Sequence, residues 1–275
     1  MIQIKPSIIL VILLALGACV ACDDEPQPAK PIVVQSVTPL DYIAEENLLL
    51  EGDPAKSFFT YSEALTAVPQ GTHVGSRYEW AGIIPHVTNL EEPTLIFQDA
   101  SEHLAVEEAI QIGDIKATYS SDYKNMGNGI SYALRLAPAK AAAEEGFPPA
   151  QDKKLLAAYR YQVSEGKEGG LLTVTVRPLG ESFDGTIEKI AKESFWAQDK
   201  EEDVERQFPF AGQVHEGNQV YVGTDGFYWT STPDGDTSAY YVWIGMGAAG
   251  IFDDGKLVDN YRQMGHSVRP FADHL

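Results

Sequence analysis

The chain is poor in cysteine and in positive charge, and it has no apolar run long enough to span a membrane as a helix. Cys19 and Cys22 are the only cysteines in its 275 residues. Everything after Cys22 therefore lacks a disulfide, a thiol nucleophile and a thiolate metal site. An exported domain without disulfides must be held by its core, and the long remainder is large enough to bury one or two. Cations are equally scarce: 20 Lys and Arg stand against 40 Asp and Glu, a formal net charge of −20. Nucleic acid and anionic lipid are poor partners for such a surface, because phosphate recognition needs clustered cations. Catalytic signatures are missing too. There is no His-Glu-x-x-His, no Gly-x-Ser-x-Gly elbow, and no histidine pair at helical spacing among His73, His86, His103, His215, His266 and His274. The expectation is a protein that is not an enzyme, with no metal and no cofactor.

What is present begins at the N-terminus. Lys5 precedes a continuous apolar run from Ile8 to Leu16, well short of the roughly 20 residues a spanning helix needs. The run ends in Leu16-Gly17-Ala18-Cys19, which resembles a bacterial lipobox with Cys19 as the acylated residue; Cys22, after Val20-Ala21, is the alternative. Residues 1–18 then form a lipoprotein signal peptide, removed on maturation. Loss of Lys5 with it leaves the mature chain one charge more acidic. Residues 19–39, rich in Pro, Gln and acids, read as a flexible tether. Acyl chains on the cysteine would anchor the protein to a membrane without crossing it. Asp23-Asp24-Glu25 resembles the acidic tract of lipoproteins sent to the cell surface, and reads equally as a solvated tether.

Globular patterning starts near Leu40. Thr60-x-x-Glu63 and Ser76-x-x-Glu79 are capping boxes, in which hydroxyl and carboxylate satisfy orphan helix N–H groups. They predict helices near Tyr61–Val68 and Arg77–Ile84, the second ended by Pro85. Alternating apolar residues predict strands at Gly113–Lys124, Gly129–Ala137, Leu155–Val163 and Leu171–Pro178, with Asn128-Gly129 turning the first pair. Ala139–Ala150 reads as a loop, and Ile187, Ile190, Ala191 and Phe195 have helical spacing within Thr186–Trp196. Glu201-Glu202-Asp203-x-Glu205 reads as a solvated acidic loop. Gly217–Gly223 and Ala239–Met246 read as strands, with a turn at Thr232–Asp236.

Five short motifs recur in a recognisable order. Pro69-x-Gly71-Thr72-His73-Val74-Gly75-Ser76-x-x-Glu79-Trp80 comes first, then Phe208-Pro209-x-Ala211-Gly212 and Gly226-x-Tyr228-Trp229-x-Ser231-Thr232. Ala239-Tyr240-Tyr241 and Gly265-x-Ser267-Val268-Arg269-Pro270 complete the set. Together they resemble the Fibrobacter succinogenes major paralogous domain of Bacteroidota surface lipoproteins. Thr72, His73 and Gly75 depart from it, standing where that family has Trp, Arg and Pro. The resemblance implies an α+β fold, a C-type-lectin-like domain with short helices and short antiparallel strands. It spans residues 40–275 as a single domain, with a strand-rich insertion at about 91–199.

A function follows as an expectation. The chain reads as a non-enzymatic lipoprotein of the outer membrane, exposed at the cell surface. It would be a binding or adhesion module for glycan or protein ligands. A structural or accessory subunit of a surface assembly such as a fimbria is the alternative, and a hydrolase a third reading. The candidate ligand platform is aromatic: Tyr228, Trp229, Tyr240, Tyr241 and Trp243, since ring faces and phenol tips suit wet interfaces. Tyr241 and Trp243 fall on one face of their strand, with Tyr240, Val242 and Ile244 on the other. Asp234-x-Asp236, Asp253-Asp254 and Asp259-Asn260 offer oxygens but lack the spacing of a calcium loop; they read as turn residues.

Overall fold

The computed structural model describes residues 37–50, 57–86, 93–151, 155–166, 169–197, 200–253 and 261–274. Contacts gather the chain into two units, Met1–Gln35 and Ser36–Leu275, and every described residue belongs to the second. The lipidation candidates Cys19 and Cys22 lie outside the described residues, as do Asp254, Asp259 and Asn260. No helix among the described residues is long and apolar enough to cross a membrane.

The elements run α1 (Pro39–Tyr42), α2 (Tyr61–Ala67), β1 (Thr72–Val74), α3 (Arg77–Ala81), β2 (Leu95–Ile96), β3 (Leu104–Ile112), β4 (Ile115–Asn125), β5 (Ile130–Pro138), β6 (Ala157–Gly166) and β7 (Gly169–Pro178). After α4 (Ile187–Ile190) and α5 (Glu193–Trp196) come β8 (Val204–Pro209), β9 (Gln213–His215), β10 (Asn218–Val220), β11 (Asp225–Asp234), β12 (Ser238–Gly245), β13 (Ala248–Phe252), a 3-10 turn at Tyr261–Gln263 and β14 (Pro270–Ala272). Strands β3 to β8 form one six-stranded antiparallel meander in chain order. A second sheet has the order β11-β12-β13-β2, and two ribbons pair β1 with β14 and β9 with β10.

This arrangement overturns the α+β, C-type-lectin-like expectation. The described chain is mostly antiparallel β and sandwich-like, with few helices, the longest of seven residues. The capping boxes do start helices where the sequence places them. Each is stopped within two turns, however: α2 runs into Val68-Pro69, and α3 ends at Gly82. Helices this short cannot form a layer of their own. The strands, by contrast, are more numerous than periodicity suggested. Leu104–Ile112 was not anticipated, and the acidic stretch read as a loop leads into β8 at Val204. Only Asn218–Val220 of the Gly217–Gly223 stretch is strand.

Packing explains both sheets. The main core lies between them: Ile110, Tyr159, Val174 and Phe208 of the large sheet meet Val242, Ile244 and Ile251 of the smaller one, with Trp80 of α3 between. On the outer face of the large sheet, α4 and α5 cover Tyr132 and Ala158 with Ile187, Ile190 and Trp196. A third cluster lies beyond the smaller sheet, where Phe227, Trp229 and Tyr241 meet Tyr61, Ala64, Met264 and Val268. Strand β12 alternates as its sequence predicts, but both of its faces are covered. Tyr241 and Trp243 point to the third cluster, and Val242 and Ile244 to the main core.

One irregularity shapes the main core. Between the pairs Ser120–Ala137 and Asp122–Leu134 the register of β4 on β5 shifts by one residue. Arg135 and Leu136 therefore both oppose Ser121, a β-bulge in which Leu136 takes a positive φ of 69°. Both side chains are fully buried.

Candidate functional site

A ligand-sized cleft is built where strand β1 meets the last strand, β14. Strand β1 pairs antiparallel with β14, setting Thr72 opposite Ala272, His73 opposite Phe271 and Val74 opposite Pro270. The Asp273 N–H donates to the Gly71 carbonyl and extends the ribbon by a turn. Phe271 is its anchor, packed edge-on against Trp80 at 5.4 Å between ring centroids. A Cβ on Gly75 would come within 2.4 Å of the Phe271 ring, so only glycine fits there. This accounts physically for one departure from the motif.

The cleft has a volume of about 330 Å³ and is lined by His73, Glu79, Gln111, Gly113, Asp114, Ala272, Asp273 and His274. A separate crevice along Val37, Leu136, Leu155 and Pro178 has no room for a water molecule. His73 is the centre of the cleft wall. Its Nε2 donates to Glu79 Oε1 and its Nδ1 to Asp273 Oδ1, both at 2.8 Å. Because both acceptors are carboxylates, both nitrogens must carry protons and the ring is an imidazolium. The hydrogen bond it donates to Glu79 raises its pKa to about 9 against the opposing pull of partial burial, and Asp273 adds to the rise.

Glu79 does two jobs. Oε2 accepts from the Ser76 N–H at 2.7 Å, closing the capping box of α3, while Oε1 holds His73. Burial pushes this carboxyl up, but the His73 and Ser76 hydrogen bonds outweigh it and hold it below the usual carboxylate range. The capping box thus fixes one carboxylate, and the β1–β14 register brings the other to the opposite nitrogen. Across the cleft, the β3–β4 turn presents Gly113 and Asp114. Gly113 has a φ of 54° and sits against Tyr42, whose hydroxyl would be 2.7 Å from any Cβ there.

Chemically, the cleft offers acceptors and a locked cation. With both ring nitrogens engaged, His73 has no lone pair for a metal or for proton abstraction. No group of three or more His, Cys, Asp or Glu among the described residues could hold a metal ion.

The five aromatics expected to form a platform are dispersed. Tyr228 and Trp229 are fully buried, and Tyr241 is 4% exposed. Tyr228 donates its hydroxyl to the Pro209 carbonyl, and Trp229 its indole N–H to that of Phe59, both at 2.7 Å. Burial pushes the Tyr228 pKa up to about 12. Trp243 is half-buried, its indole N–H held by Asp225 at 2.7 Å. Tyr240 is half-buried on the opposite face of β12, with the Arg77 guanidinium 4.5 Å from its ring centroid. Tyr240 and Trp243 therefore cannot share a ligand. Both faces of the strand are needed for packing, so the rings fill cores.

Arg77 belongs to a second polar cluster. Its Nη2 donates to Glu144 Oε1 and to the Tyr78 hydroxyl, each at 2.6 Å, which latches the 139–150 loop onto α3. Sequence spacing does not group the cleft residues: His73 and Glu79 are six residues apart, but Asp273 lies 200 positions from His73. The available signal was His73 inside a motif that otherwise ended in a capping box.

The fold and the cleft define a β-sandwich-like domain with a polar cleft beside its β1–β14 ribbon. Residues 35–271 match the model of a family described as a domain of unknown function (DUF8237), and the chain belongs to that family. No curated protein and no solved structure matches it.

Proposed function

We propose that this protein is a non-enzymatic lipoprotein of the cell surface, a binding module whose ligand, a glycan or a protein segment, occupies the cleft at His73. The observation carrying this reading is a polar cleft of about 330 Å³ lined by Asp114, Asp273 and Gln111. Such acceptors suit ligand hydroxyl or amine donors, and pre-set side chains avoid an ordering cost on binding. A histidine bonded through both nitrogens supports binding over proton transfer. Anchoring through Cys19 or Cys22 to the outer membrane belongs to the same proposal. So does kinship with the major paralogous domain, supported by the pairing of its first and last motifs in the β1–β14 ribbon.

The test is a glycan array and a peptide library probed with the mature chain and with Asp273→Ala and Asp114→Ala variants. Ligands retained by the parent and lost by both variants would support the cleft. Ligands bound equally by all three would reject it. Labelling with a clickable fatty acid, comparing Cys19→Ser with Cys22→Ser, assigns the anchor.

The alternative, a subunit of a surface assembly, draws support from β3. It forms an edge of the large sheet, pairing only with β4 among the described strands, and an open edge can accept another strand. Concentration-dependent self-association in sedimentation would favour it.

A further inference from the structure

We propose that the cleft beside the β1–β14 ribbon recognises an alkylammonium group, the cationic head of a small amine or of a lysine side chain on a partner. This narrows the binding reading given above and rests on it. The ligand class follows from which polar atoms of the wall are already engaged. The donors are engaged within the protein. His73 gives both ring N–H groups to Glu79 and Asp273 at 2.8 Å, and Gln111 Nε2 donates to the Gly113 carbonyl at 3.1 Å. Acceptors are left over. Asp273 accepts through Oδ1, and among the described residues its Oδ2 has no partner. Asp114, exposed at the β3–β4 turn, and Gln111 Oε1 have no partner among those residues either. Each of these oxygens can accept a hydrogen bond from a ligand.

Charge points the same way. Glu79, Asp114 and Asp273 outnumber the cationic groups of the wall, His73 and, where protonated, His274. Lys116, opposite Gln111 in the β3–β4 pairing, lies outside the wall and pairs with neither Asp114 nor Asp273 among the described residues. Beside Gly113, burial together with the negative field of Asp114 and Asp41 raises the pKa of the Tyr42 hydroxyl. An anion would meet that field with no free charged donor from His73 to offset it, and a neutral sugar would leave many of its own acceptors unmatched. An ammonium group has three donors and no acceptor, which complements a wall of unused acceptors. The net charge of −20 on the chain adds a long-range attraction for cations. At about 330 Å³ the cleft falls at the lower end of ligand pockets, roughly 300–1,000 Å³, and suits one side chain or a short amine.

The test is an NMR titration of the mature chain with four probes: 1,4-diaminobutane, a short lysine-containing peptide, the same peptide with its lysine acetylated, and methyl glucoside. The diamine or the lysine peptide should shift the amides of Asp114, Ala272 and Asp273. Diamine binding alone assigns a free amine as the source, and tighter binding of the peptide assigns a partner's lysine. Acetylation should weaken the peptide by roughly tenfold or more, since it removes a charge-assisted hydrogen bond. Asp114→Asn leaves His73 and its two partners in place and should weaken the cationic probes by roughly tenfold, with an unchanged Tm. Asp114→Lys should abolish their binding. Equal binding of the acetylated peptide, or binding of methyl glucoside in preference to the amines, would overturn the cation class and leave the cleft as a binding site. Amine binding that both Asp114 variants retain would place the cation elsewhere on the acidic surface and overturn the proposal. Four probes that leave every cleft amide unmoved would overturn the proposal and the binding reading together.

Discussion

His266 stacks on Trp229 with ring centroids 4.1 Å apart and planes inclined by 23°. Phe227, Tyr241 and Tyr261 surround the same imidazole at 5.4–5.5 Å, completing an aromatic box with no exposure at His266. The ring donates through Nε2 to the Gln213 side-chain carbonyl at 3.0 Å. Burial alone drives its pKa from 6.5 down to about 3.

That shift predicts acid sensitivity. A histidine held neutral costs nothing above the unfolded pKa, near 6.5. As pH falls below it the unfolded chain takes up a proton that the folded chain refuses. Stability should therefore decline between about pH 6.5 and 3, by at most about 1.4 kcal/mol per pH unit from this group. Urea denaturation at pH 7.5 and pH 5 checks it: the parent should lose stability over that interval, and His266→Gln should lose clearly less. Equal losses would remove His266 as the cause.

His73 behaves in the opposite sense. Its folded pKa is raised to about 9, so its contribution is complete below about pH 6.5 and disappears as pH climbs through 9. An NMR titration of the ring should show an imidazolium at pH 8, and Asp273→Asn should bring the midpoint down. With 38% of the His73 side chain exposed, solvent screening keeps the energetic effect small. A midpoint near 6.5 in the parent would show that the clamp does not form in solution.

Breaking the buried ion pair of Arg135 and Glu108 from one side should be costly. Glu108→Gln leaves Arg135 charged and only partly compensated in the main core, with an expected loss of about 3–5 kcal/mol. Urea or thermal unfolding measures it. A loss under about 1 kcal/mol would mean that the carbonyls of Ala81, Gly82 and Ile83, which also accept from its guanidinium, alone suffice for Arg135.

Two glycines four residues apart should fail for different reasons. Gly75→Ala forces the Phe271 ring to move from a 2.4 Å overlap, with an expected cost of about 1–3 kcal/mol and loss of cleft geometry. Gly71→Ala meets nothing within 4 Å, yet its φ of 81° disfavours a side chain, with an expected cost of about 1 kcal/mol. Chemical shifts of His73 should move in the first variant and stay in place in the second.

Local signals were legible where the physics is local. Thr60-x-x-Glu63 and Ser76-x-x-Glu79 start α2 and α3, and the alternating runs around Tyr119, Ala133, Tyr159 and Val174 form β4 to β7. The burial of both faces of β12 was not legible, because period-two alternation separates two faces without saying whether solvent lies beyond either. Tyr241 of β12, like Tyr228 and Trp229 of β11, reads as part of a platform and instead fills a core.

By itself, then, the sequence determined the capped helix starts and the four strands β4 to β7, the absence of disulfides beyond Cys22, and an excess of negative charge. Tertiary structure alone decided the site. A hydrogen bond from His73 to Glu79 is fixed by a capping box six residues away, but the bond to Asp273 spans 200 positions and depends on the β1–β14 register. Arg135 of β5 and Glu108 of β3 likewise meet in the core across the intervening β4. Contacts of that range are set by the packing of whole sheets, which no short stretch of sequence encodes.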